Sequence, residues 1–166
     1  MSASLNASLA EQMKFVMGCP PAALTTTAGD GDYVSLKGYR RLTIVLLVDN
    51  GATVTGGAIT LLQASDVGAT GAKALALTRM WANIDVGATD TLVATAVTSN
   101  TFTTSTVDNK NLMYVIEVLA EDLDIANGFD CVRVDSASMA NAVGSVLYIL
   151  DGARYGGATP PTAITD

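Results

Sequence analysis

The side chains best able to do chemistry in this sequence are two groups of carboxylates. Asp30 and Asp32 alternate across Gly31, while Glu121, Asp122 and Asp124 gather in a second loop. Acids held about 5–10 Å apart around a sugar can hydrolyse glycosides, and loop carboxylates can hold calcium. Neither group has the ligand register of a calcium loop. Glycan cleavage also needs aromatic platforms, and Trp81 and a few tyrosines are what the chain offers. These acids read as solvated turns, with weak calcium or glycan binding as the open alternative. Trp81 follows Arg79 and Met80 at a strand end and reads as a core or rim residue. The stretch Gly68 to Lys73 has the wrong spacing for a phosphate loop and leads into a strand rather than a helix N-terminus. The sequence contains no histidine. That removes the commonest general base, the Ser-His-Asp and Cys-His nucleophile systems and the most frequent zinc ligand. Cys19 and Cys131 lie far apart and match no metal-binding spacing. They form one bridge or sit as two small buried side chains. The expectation is a non-enzymatic protein with no catalytic residues, no metal and no cofactor.

The elements that would carry such side chains are strands. The 166 residues suit one domain. Hydrophobic residues make up 49% and charged residues 15%, with Ala, Val, Leu, Thr, Ser and Gly predominating. Val and Thr suit a pleated, half-buried surface. The pattern predicts strands near Tyr33–Leu36, Arg41–Val48, Ala58–Gln63, Ala74–Trp81, Leu92–Val97, Thr101–Thr104, Leu112–Leu119, Phe129–Asp135 and Ser145–Leu150. Turn signals such as Asp49-Asn50-Gly51, Gly56-Gly57 and Ser99-Asn100 separate them. Strands Leu42–Val48 and Met113–Ala120 are apolar on both faces, so each is central in a two-layer structure or covered on its outer face by something else. The fold class that follows is mainly β, an antiparallel β-sandwich or jelly roll, with a short N-terminal helix.

That helix is expected in residues 1–19, as an amphipathic arm before a single β-sandwich domain over 20–154. Leu5, Leu9, Met13, Val16 and Met17 fall on one stripe at helical spacing. Ser8 and Glu11 have the form of a capping box, Gly18 can close the helix, and Pro20-Pro21 prevents its continuation. Residues 155–166 form a Pro/Gly-rich tail that cannot be a central strand and is either mobile or laid on a neighbour.

The net charge of −7 argues against direct nucleic-acid binding through the overall field. Arg40 and Arg41, with Lys37 nearby, read as a solvated strand end. No run has the length of a membrane span, and Met1 to Met17 lacks the features of a signal peptide. Synthesis and folding in the cytoplasm, away from any membrane, are expected.

Five stretches carry a likeness: YVSLKGYRRLTI from Tyr33, GATVTGGAITL from Gly51, KALALTRMWAN from Lys73, LMYVIEV from Leu112 and GFDCVRV from Gly128. Over roughly Tyr33 to Asp135 the chain resembles small structural proteins of tailed bacteriophages. The resemblance implies a virion component, a capsid decoration (cement) protein made in the host cytoplasm and bound to the capsid surface. Such a protein would be a homo-oligomer, dimer or trimer, with the major capsid protein as partner, clamping junctions between capsid subunits. Two contact stripes are expected on this reading: Leu5, Leu9, Met13 and Val16 at the N-terminal end, and Tyr155, Pro160, Pro161 and Ile164 at the C-terminal end. The alternatives are a tail-tube, connector or head-completion subunit, and a host-surface or carbohydrate-binding module using the loop acids and Trp81.

Overall fold

Runs of alternating apolar and polar side chains become strands, and turn residues set where each one ends. The computed structural model describes residues 8–25, 31–77, 79–154 and 160–164. Within them lie one helical turn, α1 (Leu9–Gln12), and the strands β1 (Lys14–Ala23), β2 (Val34–Ser35), β3 (Arg41–Asn50), β4 (Ala58–Ala64), β5 (Lys73–Ala74), β6 (Arg79–Asn83), β7 (Val93–Ala96), β8 (Thr101–Thr103), β9 (Asn111–Leu119), β10 (Cys131–Ser136) and β11 (Ala142–Asp151). All pairings are antiparallel. The larger sheet runs β1-β11-β3-β9-β6-β7, and the smaller runs β2-β10-β4-β5, with β8 also pairing β4.

Setting β5, β6 and β7 aside leaves a symmetrical winding. The first strand pairs the last (β1 with β11), β2 pairs β10, β3 pairs β9 and β4 pairs β8. The two halves then close as β11 against β3 and β10 against β4. This is the strand order of a jelly roll, two four-stranded sheets wound from one long folded ribbon. Strands β5 to β7 are an excursion between β4 and β8, and β6 and β7 extend the larger sheet beyond β9.

The core lies between the sheets. From the larger sheet come Leu42, Ile44, Leu46 and Val48, then Leu112, Tyr114, Ile116 and Val118, then Val146, Tyr148 and Leu150; from the smaller come Ile59, Leu61, Val132 and Val134, all buried. Tyr148 ties the layers together, because its Oη on β11 accepts the Val134 N–H on β10 at 3.0 Å. Burial of this ring pushes the phenol pKa far up, which keeps the hydroxyl neutral. Two glycines make room for it. A Cβ on Gly18 would lie 2.5 Å from the Tyr148 ring, and one on Gly31 would lie 2.8 Å from its hydroxyl.

Gly18 therefore serves packing in a strand, and the extended helical stripe is corrected. The helix exists but covers only Leu9–Gln12, opened by the Ser8 N–H donating to the Glu11 carboxylate at 2.6 Å. Leu5 and the rest of residues 1–7 lie outside the described residues. From Lys14 the chain is β1, paired with β11 from Lys14↔Leu150 to Ala23↔Val143. Lys14 to Met17 alternates as well as it recurs at helical spacing, and the open edge of β11 decides the matter. Pro20 and Pro21 are tolerated because β1 is an edge strand, at the cost of register shifts on either side of Cys19. The boundary drawn between an arm over 1–19 and a domain over 20–154 falls inside this strand.

The tail is corrected for residues 160–164, which pack on the chain's own body. Ser35 N–H donates to the Ala163 carbonyl at 2.7 Å, the Tyr39 hydroxyl donates to the Pro161 carbonyl, and Ala163 is fully buried. Residues 155–159, Tyr155 included, lie outside the described residues.

Replacing Tyr148 by Phe leaves the Val134 N–H buried without its acceptor. Equilibrium unfolding in urea is expected to show a loss of about 1–3 kcal/mol, and an unchanged midpoint would contradict the bridging role.

Candidate functional site

Two of the loop acids, Asp122 and Asp124, are occupied by local structure. Asp122 Oδ2 accepts the Leu119 N–H at 2.8 Å and caps the turn Ala120–Asp122. Asp124 is ion-paired with Lys73 and accepts from Asn127 Nδ2 at 2.8 Å. Those two partners, Lys73 first, hold its carboxyl below the usual range. Lys73 also stands 4.0 Å above the Phe129 ring. Asp32 is exposed and its N–H donates to the Gly18 carbonyl at 2.8 Å; Asp30 lies outside the described residues. Among the described residues, no three of His, Cys, Asp and Glu gather around a point that could hold a metal ion. Cys19 and Cys131 stand as buried thiols rather than a bridge, and burial pushes the Cys19 thiol up, with Asp32 adding to the effect.

What the fold leaves exposed is apolar surface on the outer face of the larger sheet. Successive side chains alternate between faces, so burying Leu42, Ile44, Leu46 and Val48 turns Thr43, Val45 and Leu47 outward. The register aligns these residues across every strand. Met17 faces Leu147, Leu147 faces Val45, Val45 faces Val115, Val115 faces Trp81, and Trp81 faces Ala94. Phe15 and Ile149 flank this row on one side, Leu47 and Met113 on the other. Met17 is 53% exposed, Val143 46%, Phe15 44% and Leu47 43%. Five strand spacings make the band about 24 Å wide. Helix α1 buries none of its own residues.

The band is bounded by charge at one end. There Arg41 pairs with Asp151 at 2.5 Å and approaches Glu117 at 3.8 Å. Arg41, Arg79, Glu117 and Asp122 surround the half-buried Trp81 in a shallow depression of about 280 Å³. At the other end an apolar depression of about 260 Å³ lies between Pro21, Leu47, Val86 and Val143.

The two expected stripes are placed differently from the sequence reading. Leu9 is exposed on α1 and Met13 is half-buried at its C-cap. Val16 packs against the core from β1. In the C-terminal stripe Pro160 and Pro161 are half-buried and Ile164 is 55% exposed. Leu5 and Tyr155, one from each set, lie outside the described residues. Phe15 and Met17, the neighbours of Val16, reach the outer face instead; sequence reasoning missed Phe15 and placed Met17 on the helical stripe. The signal was present in the double-sided apolar strands β3 and β9, but without the β1 assignment it could not be extended to the sheet edge.

Because the Asp124 pKa is lowered, the stability it lends is present at neutral pH and is lost as pH falls through its folded value. In Lys73→Ala, NMR titration is expected to show the Asp124 pKa moving back up toward the ordinary carboxylate value; an unchanged titration would remove Lys73 as the main cause.

No family model matches the chain, and no curated protein matches it. Among solved structures the chain is similar to the SPBc2 prophage-derived protein YomS, with 84% of this chain and 93% of that chain covered, at 16% identity and a TM-score of 0.45.

Proposed function

We propose that this protein is a non-enzymatic structural component of a phage virion that decorates and stabilises the capsid through repeated contacts with capsid subunits. The observation that carries the reading is the apolar outer face of the larger sheet, continuous across its strands. The apolar band, about 24 Å wide and about 14 Å between its flanking residues, offers roughly 340 Å² of flat area, somewhat under half of the roughly 800 Å² that each partner contributes to a stable interface, with the polar rim supplying the rest. Each apolar side chain buried there contributes about 1.5–3 kcal/mol before ordering costs. A multimer engaging several lattice sites converts modest contacts into firm attachment. The phage assignment is supported by the resemblance over Tyr33 to Asp135. The jelly-roll winding adds fold-level analogy only, since that fold serves capsid proteins, lectins and cupins alike.

A second reading is favoured by one specific feature. Trp81 lies in a depression with Arg41, Arg79, Glu117 and Asp122, an aromatic surface beside hydrogen-bonding groups. A glycan-binding module uses such an arrangement, and it requires sugar affinity that disappears in Trp81→Ala.

The test is co-sedimentation of the purified chain with capsid shells that lack it. Met17→Asp with Leu47→Asp places two carboxylates where apolar partners would desolvate them, at a cost of several kcal/mol. Binding is expected to fall at least about 100-fold with circular dichroism unchanged. Undiminished binding by this variant would contradict the outer face as the docking surface.

A further inference from the structure

The four sheet edges are not treated alike. An open edge strand exposes a row of N–H and C=O groups that will pair with another strand unless something prevents it. At one end of the larger sheet, β1 carries Pro20 and Pro21 and two register shifts. At one end of the smaller sheet, β2 is two residues long and is overlaid by the segment ending in the buried Ala163. At the other end stand β5, two residues with the charged Lys73, and β8, three residues. Each of these edges is short, broken or covered.

Strand β7 is also short, at four residues, but it carries no proline, no charge and no register shift. It pairs only with β6 and is the last strand of the larger sheet. Its sequence from Leu92 to Ala96 is Leu-Val-Ala-Thr-Ala, with no charge, no proline and no glycine. Every one of these residues is exposed, Val93 at 61% and Leu92 at 40%. β-Branched side chains, no net charge and no proline are what a strand-pairing segment needs. The hairpin also overhangs the sandwich. Val93 and Thr95 face the same way as Ala82 and the buried Met80, yet they border an open, mostly apolar depression of about 330 Å³ with Ala82 and Ile84.

We infer that β7 is a homotypic docking edge, and that its occupant is β7 of a second copy in antiparallel, two-fold register. An uncharged segment places no like charges opposite one another when it meets its own copy, so it is self-complementary in the sense a two-fold contact requires. Alanines at 94 and 96 keep the outer side of the edge low. Pairing joins two larger sheets into one and makes the apolar outer faces of both copies continuous. Four residues of strand span only about 13 Å, so the contact is small beside the standard interface. The dimer is therefore concentration-dependent in solution. The inference rests on the edge and not on the outer face, so each can fail without the other.

Sedimentation equilibrium on the full chain tests it, from about 1 µM to several hundred micromolar, the range in which a small interface associates. Three chains are compared: wild type, the double variant Ala94→Lys with Ala96→Lys, and the outer-face double variant Met17→Asp with Leu47→Asp. The wild-type mass is expected to rise toward twice that of the monomer. The lysine variant, folded by circular dichroism, is expected to stay monomeric throughout, because it sets like charges across the pair. The outer-face variant is expected to dimerise as wild type does. Amide exchange of residues 93–96 should slow with concentration in wild type and in the outer-face variant, but not in the lysine variant. A wild-type mass that stays monomeric, a lysine variant that associates normally, or β7 amides whose exchange ignores concentration would each overturn the inference.

Discussion

A sheet has two faces, and a sandwich can bury only one of them. Strands β3, β9 and β11 carry apolar side chains on both, and the smaller sheet takes up Leu42, Ile44, Ile116 and Tyr148 on the inner side. Val45, Leu47, Met113, Val115 and Leu147 are then forced outward by the two-residue period of the strand. No local rearrangement can hide both sets. Slipping a strand by one residue would exchange them and open the core. The two sheets close on each other with the outer face of the larger one still carrying this apolar band.

Rigidity makes such a surface usable. Tyr148 bonds across the layers to Val134, and the Tyr114 hydroxyl accepts the Ser105 N–H at 2.8 Å. Asn50, buried at the end of β3, donates to the carbonyls of Ser105 and Val107 at 2.9 and 3.0 Å. These polar ties connect the larger sheet to neighbouring chain segments without placing a charge inside the core. The face they support is a plate bordered by charge at the Arg41–Asp151 end, so a partner must match both an apolar centre and a polar rim.

Much of this was legible in the sequence. Of the nine expected strands eight have a single counterpart in the structure, while the strand expected over Ala74–Trp81 is split between β5 in the smaller sheet and β6 in the larger; Val, Ile and Thr alternation bounded by Gly and Asn turns reports directly on pleated backbone. The double-sided character of Leu42–Val48 and of the strand beginning near Met113 was also readable. Strand β1 was not. Leu9, Met13 and Val16 satisfy helical spacing, and only the long, unpaired edge of β11, more than a hundred residues away, makes extension from Lys14 the better choice. Gly18 and Pro20 look like helix terminators locally, whereas the first is required by the Tyr148 ring and the second is tolerated at an edge. The fate of Pro161 and Ala163 was equally hidden, since their partners are Tyr39 and Ser35 at the far end of the chain. Periodicity reports what a segment does alone, and these segments are settled by distant partners.

Trp81 is the one tryptophan in the chain, and it lies on the outer face between Val115 and Ala94. Its fluorescence therefore reports directly on whether that face becomes covered. The most direct measurement is acrylamide quenching of Trp81 in the isolated chain and in the capsid-bound chain. The account requires quenching to fall severalfold and emission to shift to the blue on binding. Equal quenching in the two states, with attachment verified by sedimentation, would contradict it.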